Sequence, residues 1–227
     1  MKVRARSVSV GAALLVIGPG AALAQSINID LDVPGPPEGG GGAPSSQFAA
    51  VGSRGFWNQI DAGGPRNPIS LLGLDGSPTQ CQLVATGGIG SSGGFNNHGI
   101  SGDYRLLMSD FEYVGNPIRF QFSGFSPGRY RLWTYSGNVS DEQGVSFTVQ
   151  VPGSLTPAQT VAGPIPTGNR FIYGLTHCYH DLLLPFGGAF EIDVSSGFPD
   201  GMVSGIQIQK LPWQPGIPSP AFPWGWH

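Results

Sequence analysis

Short runs in which apolar and polar residues alternate recur along most of this 227-residue chain. In Gly144–Val151, four apolar residues alternate with Ser146, Thr148 and Gln150. An alternation with a period of two predicts a β-strand that buries one face and exposes the other. The same pattern predicts about eight or nine strands, in the segments 25–32, Gln80–Thr86, Pro117–Phe122, Gly128–Tyr135, Arg170–Leu184 (one bent strand or two), Ala189–Val194 and Met202–Lys210.

Helical patterns are scarce between these runs, and only one short helix is predicted, around Asp103–Phe111. Parallel strands need long crossover connections, which are usually helices, so these strands are expected to pair antiparallel. Two antiparallel sheets with alternating faces pack against each other as a β-sandwich. The prediction is therefore one all-β domain over residues 25–210, with at most one short helix.

Two segments rich in glycine lack this alternation. Residues 34–46 combine Pro, Gly and Ser, which predicts a linker or a long loop. Residues 87–94 hold more glycine than a tight turn needs, and we interpret them as a second long loop that carries residues 95–98. Because binding residues concentrate on loops held by a rigid scaffold, Asn96 and His98 are candidate ligand contacts.

The first 24 residues have the features of a secretory signal peptide. Lys2, Arg4 and Arg6 precede an apolar stretch, and Ala22-Leu23-Ala24 provides a small-x-small cleavage site before Gln25. The apolar stretch is shorter than the ~20 residues that a spanning helix needs. The sequence therefore predicts a secreted protein, extracellular or periplasmic, with no transmembrane segment after cleavage.

Composition at first suggests disorder, since the chain holds 37 Gly and 21 Pro and only 11% charged residues. Disordered chains are poor in apolar and aromatic residues, however, whereas this chain is 40% hydrophobic and 11% aromatic. Its 14 acidic residues outnumber 11 basic ones, three of which lie in the leader. An acidic chain lacks the basic surface that neutralises phosphates, so a nucleic-acid partner is excluded.

Cys81 and Cys178 are the only cysteines, and both follow the leader. In an oxidising compartment they most simply form one disulfide, which would close a loop of about 100 residues and stabilise the fold by about 4 kcal/mol. Their alternation with neighbouring leucines places both sulfurs on the inner face of their strands. Two free buried thiols are the alternative.

The C-terminal residues 211–227 differ from the rest of the chain. They hold five prolines and three of the five tryptophans. Proline at this density prevents helix and central strand, which predicts an extended tail. The tail either drapes over the sandwich or is disordered, or it is an adhesive peptide for a partner. The last alternative suggests a structural or surface-assembly protein.

Four stretches resemble a known family of sandwiches: SINIDLD, FWNQI, SGFSPGRYRLWTYS and GMVSGIQIQK. Across residues 26–210 the chain is similar to galactose-binding-like jelly-roll domains, a framework that malectin-like domains and carbohydrate-binding modules share. It also resembles exported bacterial proteins built on that fold. The resemblance implies an antiparallel jelly-roll β-sandwich and a function in glycan binding. No glycan-contacting residue can be matched position by position.

Reactive side chains cluster at residues 177–181 (HCYHD). On a strand, His177 and His180 point to opposite faces, so they cannot chelate one ion together, and no metal site is predicted here. A nucleophile elbow of the Gly-x-Ser-x-Gly type is missing, and the acidic residues show no catalytic pairing. We therefore expect no catalytic residues; a hydrolase on a sandwich scaffold is the less favoured alternative.

A structural calcium ion is the one cofactor that the sequence suggests. Jelly-roll modules often hold such an ion through acidic side chains and backbone carbonyls. Oxygen-rich loops with Asp30, Asp32 or Asp200 are able to supply these ligands.

Carbohydrate binding requires aromatic faces for the C–H side of the sugar and planar polar groups for its hydroxyls. Arg131, Trp133 and Tyr135 share one face of the predicted strand Gly128–Tyr135. This face is either an outer, ligand-binding surface or, as for many sandwich tryptophans, the core. The resulting hypothesis is a secreted, non-catalytic β-sandwich module whose partner is a glycan or another cell-surface component.

Overall fold

The computed structural model describes residues 25–32, 42–61, 67–94, 99–137, 144–196 and 201–212. These residues form two β-sheets and one short helix. The predicted leader, the loop residues Asn96 and His98, and most of the predicted tail (213–227) lie outside the described residues.

The first sheet has five strands in the order β10-β6-β13-β1-β2. The first and last strands of the fold are neighbours near its centre, because β1 pairs antiparallel with β13. All pairs are antiparallel except β1 with β2. The strand bounds are β1 Ile27–Asp32, β2 Trp57–Asp61, β6 Gly128–Tyr135, β10 His177–Leu184 and β13 Gly205–Leu211.

The second sheet has eight strands, six of them in the order β3-β4-β5-β11-β7-β8. The remaining two strands, β9 and β12, pair with β7 and β5. Helix α1 connects β4 to β5. The bounds are β3 Ile69–Leu72, β4 Pro78–Gly94, α1 Gly102–Met108, β5 Asp110–Phe125, β7 Gly144–Val151, β8 Ser154–Leu155, β9 Gln159–Ala162, β11 Gly188–Ser196 and β12 Gly201–Val203.

The inner faces of the two sheets form one hydrophobic core. Phe122 and Phe190 stack with ring centroids 4.9 Å apart, and Phe125 meets Tyr130 edge to face at 5.5 Å. Such aromatic pairs contribute about 0.5–1.5 kcal/mol beyond their buried area. The alternation that predicts the strands accounts for this core, whose other members include Ile27, Ile29, Leu83, Phe120, Leu132, Phe147, Ile192 and Ile206.

The predicted fold class, an antiparallel jelly-roll β-sandwich with one short helix, is confirmed. Two predicted strands, Gly128–Tyr135 and Gly144–Val151, match the observed bounds at both ends. The number of strands was underestimated, because the described residues alone form thirteen. Three of the additional strands, β3, β8 and β9, are too short for a period of two to be recognised. The predicted strand Met202–Lys210 is divided at Ser204 into β12 and β13.

The glycine-rich stretch 87–94 is a strand and not the predicted loop. It continues β4 and pairs with β5, through Gly87 with Ile118 and Gly94 with Asp110, although the register shifts twice. Backbone pairing needs only N–H and C=O groups, whereas the sequence signal for a strand comes from alternating side chains. Glycines give no such signal, and the strand was therefore missed.

Two other predicted boundaries differ from the structure. The helix ends at Met108, and Phe111, which was predicted to lie in it, is a buried residue of β5. The run Arg170–Leu184 contains one strand, which begins only at His177, because residues 174–176 form a turn. Among the described residues, no helix is long and apolar enough to span a membrane.

Cys81 and Cys178 are free thiols in the structure. The predicted disulfide is therefore replaced by the alternative, two free buried thiols. Both side chains point into the core and are fully buried, as their alternation indicated. Cys178 lies on the edge strand β10, which packs over β7 and β9. Cys81 lies on β4, three strands away from β7 in the other sheet. Three strand spacings of about 4.8 Å exceed the ~7 Å between Cα atoms that a disulfide tolerates.

We expect a maleimide to react with these thiols only after unfolding. Burial raises the pKa of the Cys178 thiol to about 11 and also raises the pKa of Cys81, while the thiolate is the reactive form. Mass spectrometry should find no label on the native protein and label on both cysteines after unfolding in guanidinium without a reductant. Unfolded protein that takes up label only after reduction would show a disulfide and contradict the assignment.

Candidate functional site

Strand β6 divides its side chains between the two faces of its sheet as the alternation predicted. Tyr130 and Leu132 point into the sandwich core, while Arg131, Trp133 and Tyr135 lie on the outer face. This outer face is covered over much of its area by a second, smaller core. The members of that second core are Trp57, Ile100, Tyr104, Leu107, Met108, Trp133, Tyr135 and Ile165.

A polar network attaches the covering segment 49–53 to the sheet. The buried Gln207 side chain accepts hydrogen bonds from the Tyr135 hydroxyl and from the Gly52 N–H at 3.0 Å. Its amide nitrogen lies 2.8 Å from Asn28 Oδ1 and 3.2 Å from the carbonyl oxygens of Ala49 and Ser53. The covering segment is therefore held by a strand residue that the sequence analysis did not single out.

Helix α1 and the segment before β10 cover the remainder of the second core. The Tyr104 hydroxyl donates to the Arg170 carbonyl at 2.8 Å, and its ring lies 4.7 Å from that of Phe171. Phe171 in turn meets Tyr135 edge to face at 5.6 Å. Burial raises the pKa of Tyr104 to about 12 and raises the pKa of Tyr135 still further.

Of the three candidate ligand contacts on β6, only Arg131 is accessible. Tyr135 is fully buried, and the relative exposure of Trp133 is 9%. Their rings belong to the second core and offer no open face to a ligand in this structure. Alternation indicates which face of a sheet a residue occupies, but not whether another segment crosses that face. The other two candidates, Asn96 and His98, stay predictions because they lie outside the described residues.

Arg131 forms a bidentate ion pair with Asp181 on the neighbouring strand β10. Its Nε and Nη2 atoms each donate to a carboxylate oxygen at 2.7 Å, and the register places the two residues directly opposite each other. The hydrogen bonds from Arg131 lower the pKa of Asp181, and those same bonds raise the pKa of Arg131. Both side chains remain partly open to solvent, with relative exposures of 35% and 42%.

Two exposed tyrosines flank this ion pair. The guanidinium carbon of Arg131 lies 4.6 Å from the centroid of the Tyr179 ring, and that ring lies 5.6 Å from Tyr173. Tyr173 is 56% exposed and Tyr179 is 38% exposed. We call Tyr173, Tyr179, Arg131 and Asp181 together the tyrosine–arginine patch.

Gln159 of β9 bonds the side chain of Tyr173 and the backbone of Tyr179. Its Oε1 accepts a hydrogen bond from the Tyr173 hydroxyl at 2.6 Å, and its Nε2 donates to the Tyr179 carbonyl. The sequence analysis missed both tyrosines as candidate ligand contacts. The alternation of β10 could have shown that Tyr179 and Asp181 share its outer face; Tyr173 lies outside any strand and gave no signal.

The two histidines of the cluster 177–181 lie on opposite faces of β10, as predicted. His177 packs on the outer side against Phe171 and Tyr173, with ring centroids 6.2 and 6.0 Å apart. His180 points inward, and its Nε2 lies 3.2 Å from the Pro157 carbonyl oxygen. Burial lowers the pKa of both imidazoles. The two rings therefore have separate surroundings and cannot serve one ion or one reaction together.

The calcium site suggested by the sequence also stays a prediction. Asp30 is fully buried on β1, whereas the side chain of Asp32 and all of Asp200 lie outside the described residues. Within the part of the chain that the structure describes, no group of three or more His, Cys, Asp or Glu side chains is placed to hold a metal ion.

A groove of about 640 Å³ runs along the edge of the sandwich between β2 and β3. Asn58 connects the two edge strands beside it, since its side chain bonds both the N–H and the carbonyl of Leu72, at 2.8 and 2.9 Å. The groove is mainly apolar, and the partly exposed Phe56 is its most accessible ring. Its other lining residues include Pro44, Trp57, Ile60 and Ile69.

Comparison with known proteins finds similarity in three-dimensional structure only. No family model matches the chain, and no curated protein matches it. Residues of a β-glucuronidase from Bacteroides uniformis superpose with a TM-score of 0.47 and 11% identity, covering 86% of this chain. The chain spans only 19% of the length of that enzyme.

Smaller proteins are also similar. A family 61 carbohydrate-binding module, solved with β-1,4-galactotriose, has a TM-score of 0.33 and 11% identity over 58% of this chain and 88% of its own. A family 35 carbohydrate-binding module from Clostridium thermocellum has a TM-score of 0.34 and 14% identity over 57% and 92%. At these identities and TM-scores the likeness assigns no function. The similar structures include carbohydrate-binding modules, the class of domain that the resemblance in the sequence named.

Proposed function

We propose that this protein is a secreted carbohydrate-binding module that binds an oligosaccharide at the tyrosine–arginine patch without catalysing a reaction. The observation that carries the proposal is the pair of exposed tyrosine rings, 5.6 Å apart, beside a partly exposed arginine–carboxylate pair. Adjacent exposed aromatic rings bordered by polar groups are typical of binding surfaces.

The chemistry of the patch suits a sugar. The apolar C–H face of a pyranose packs against an aromatic ring, and Tyr173 offers the more exposed one. Arg131 has further N–H donors, and each Asp181 oxygen keeps a lone pair for a hydroxyl group. Because these two charges compensate each other, the patch favours a neutral sugar over a strongly charged one.

The patch is also organised before a ligand arrives. The ion pair, the cation–π contact and the hydrogen bonds of Gln159 hold the polar groups and rings in place. Side chains that are already ordered lose less entropy on binding. A shallow surface with few contacts nevertheless binds weakly, and we expect a Kd of about 0.1–1 mM for the best oligosaccharide.

Replacing either Tyr173 or Tyr179 by alanine should weaken binding at least about tenfold, or about 1.4 kcal/mol, because each variant removes one ring of the platform. Glycan-array screening identifies the ligand, and calorimetry compares the variants. Tyr179→Phe keeps its ring and should retain most of the affinity. Phe186→Ala is the matched control, since Phe186 is 72% exposed but lies in the turn after β10.

The outcomes separate the proposal from its competitors. If the unaltered protein binds no sugar, the proposed function fails. If binding survives both tyrosine substitutions but is lost in Phe56→Ala, the ligand occupies the edge groove and not the patch. If the protein cleaves the sugar it binds, the non-catalytic part of the proposal is wrong. Recovery of the protein only from the cytoplasm of its host would contradict secretion.

A further inference from the structure

The side chain of Gln25, which lies two residues before β1, is held at one end of the sandwich. Its amide oxygen accepts a hydrogen bond from the Ser126 N–H at 2.8 Å and a second one from the Ser126 hydroxyl. The Tyr130 hydroxyl also lies 2.8 Å from this oxygen, and it shares its proton between Gln25 and the Ser126 carbonyl. An amide oxygen has two lone pairs, so this acceptor is fully occupied by donors.

A cation completes this arrangement. The Lys210 ammonium donates a hydrogen bond to the Ser126 hydroxyl. The O–H of Ser126 in turn donates to the amide oxygen of Gln25. The Lys210 nitrogen lies 5.9 Å from the centre of the Tyr130 ring, and partial burial lowers its pKa. None of the carboxylates in the described residues forms an ion pair with Lys210. The Ser126 hydroxyl therefore connects the positive charge of Lys210 to the amide oxygen of Gln25 by two hydrogen bonds.

The sequence gives this residue a second property, since Gln25 directly follows the predicted cleavage site Ala22-Leu23-Ala24. We propose that Gln25, once it is the N-terminal residue, closes to a pyroglutamate and that Ser126 and Tyr130 promote the reaction. The α-amino nitrogen attacks Cδ of the side chain, forming a C–N bond. The Cδ–Nε2 bond then breaks, the proton released by the α-amine passes to the departing nitrogen, and one ammonia leaves.

The arrangement favours this reaction because charge develops on the oxygen that the donors surround. Attack on Cδ converts the amide oxygen into an oxyanion before ammonia departs. Donors already aimed at such an oxygen stabilise it without reorganising, and in enzymes one such donor contributes 10²–10³-fold in rate. The lactam keeps its carbonyl oxygen for the same donors. The product also lacks the α-amino group, and this removes the positive charge and the site that aminopeptidases recognise.

The test begins with the chain expressed with its own leader and recovered from the exported fraction. A short pulse of isotopic label followed by a chase separates new chains from old ones, and mass spectrometry of the N-terminal peptide follows the loss of ammonia. We expect chains that begin at Gln25 and lose one ammonia during the chase. The same chains held unfolded in urea should lose it at least about tenfold more slowly, because the donors are then dispersed.

Substitutions then test the donors individually. Ser126→Ala and Tyr130→Phe should each slow the loss of ammonia about tenfold. Tyr104→Phe is the matched control: its hydroxyl is also buried and also donates to a carbonyl, but on the outer side of the sheet, so the rate should not change. Lys210→Gln should slow the reaction, and Lys210→Arg, which keeps the charge, should restore most of the rate.

Each alternative result overturns the proposal. Mature chains that begin elsewhere than Gln25 would remove its premise. Chains that begin at Gln25 and keep their ammonia throughout the chase would show that the side chain is held but does not react. Equal rates in folded and unfolded chains, or in Tyr130→Phe and Tyr104→Phe, would show that cyclisation owes nothing to the fold. Thermal unfolding of each variant confirms that it is folded before its rate is compared.

Discussion

Replacing Gln207 by leucine should lower the free energy of unfolding by about 3 kcal/mol, because the buried side chain of Gln207 loses all of its hydrogen bonds. The substitution conserves the approximate size of the side chain but leaves the Gly52 N–H, the Tyr135 hydroxyl and the Asn28 amide without this partner. Each buried polar group left unsatisfied costs about 1–3 kcal/mol. The segment 49–53 should detach from the sheet and expose the ring of Trp133.

Chemical denaturation measures the loss of stability, and tryptophan fluorescence reports the exposure of the second core. Gln209→Leu provides the matched control, because Gln209 lies two residues further along the same face of β13 but is only half-buried. We expect this control to change the free energy of unfolding by no more than about 0.5 kcal/mol. Equal losses in the two variants would contradict a special role for the Gln207 network.

Gly124→Ala should destabilise the protein by at least about 3 kcal/mol or prevent its folding. Gly124 has a φ of +81°, which L-residues rarely adopt, and it faces the backbone of β4. A Cβ at this position would lie 2.0 Å from the Gln80 carbonyl oxygen and 3.2 Å from the Cys81 Cα. Backbone atoms of a central strand cannot move aside as a flexible side chain can, so the pairing of β4 with β5 would be disrupted.

The matched control is Gly153→Ala, in the turn between β7 and β8. Gly153 has a nearly identical φ of +83°, but a Cβ there would meet no atom within 4 Å. The control therefore carries only the strain of the left-handed conformation, about 1–2 kcal/mol. The difference between the midpoints of the two variants in denaturant isolates the steric contribution. A Gly124→Ala protein as stable as Gly153→Ala would show that β5 relaxes away from β4.

Only part of the tyrosine–arginine patch could be predicted from the alternation of residues within one strand. Arg131 could be placed on an outer face because it alternates with core residues of β6. Its partner Asp181 and its neighbour Tyr179 are about 50 residues away in sequence, and only the register of β10 against β6 brings them together. Strand register depends on which pairs of faces are buried across the whole sheet.

For Trp133 and Tyr135, the sequence did not predict that another segment of the chain covers them. Alternation placed them on one face of the strand together with Arg131, but left open whether that face is the core or the outer surface. The segment that covers them is held by Gln207 and Tyr135, which lie 155 and 84 residues away from the groups that they bond in it. Contacts at such separations leave no periodic trace in the sequence. The same applies to the disulfide: two inward-facing cysteines are readable from alternation, whereas the lateral distance between their strands is not.

Alternation of apolar and polar residues was enough to predict most of the longer strands, the antiparallel sandwich and the inward direction of most core side chains. This succeeds because a half-buried strand imposes its period of two locally, whatever its neighbours are. Only the tertiary structure decided the order of the strands and the second core on the outer face. It also decided the tyrosine–arginine patch and the hydrogen bonds around Gln25. Each of these depends on contacts between residues far apart in the chain, and such contacts are selected by packing and hydrogen bonding of the whole domain.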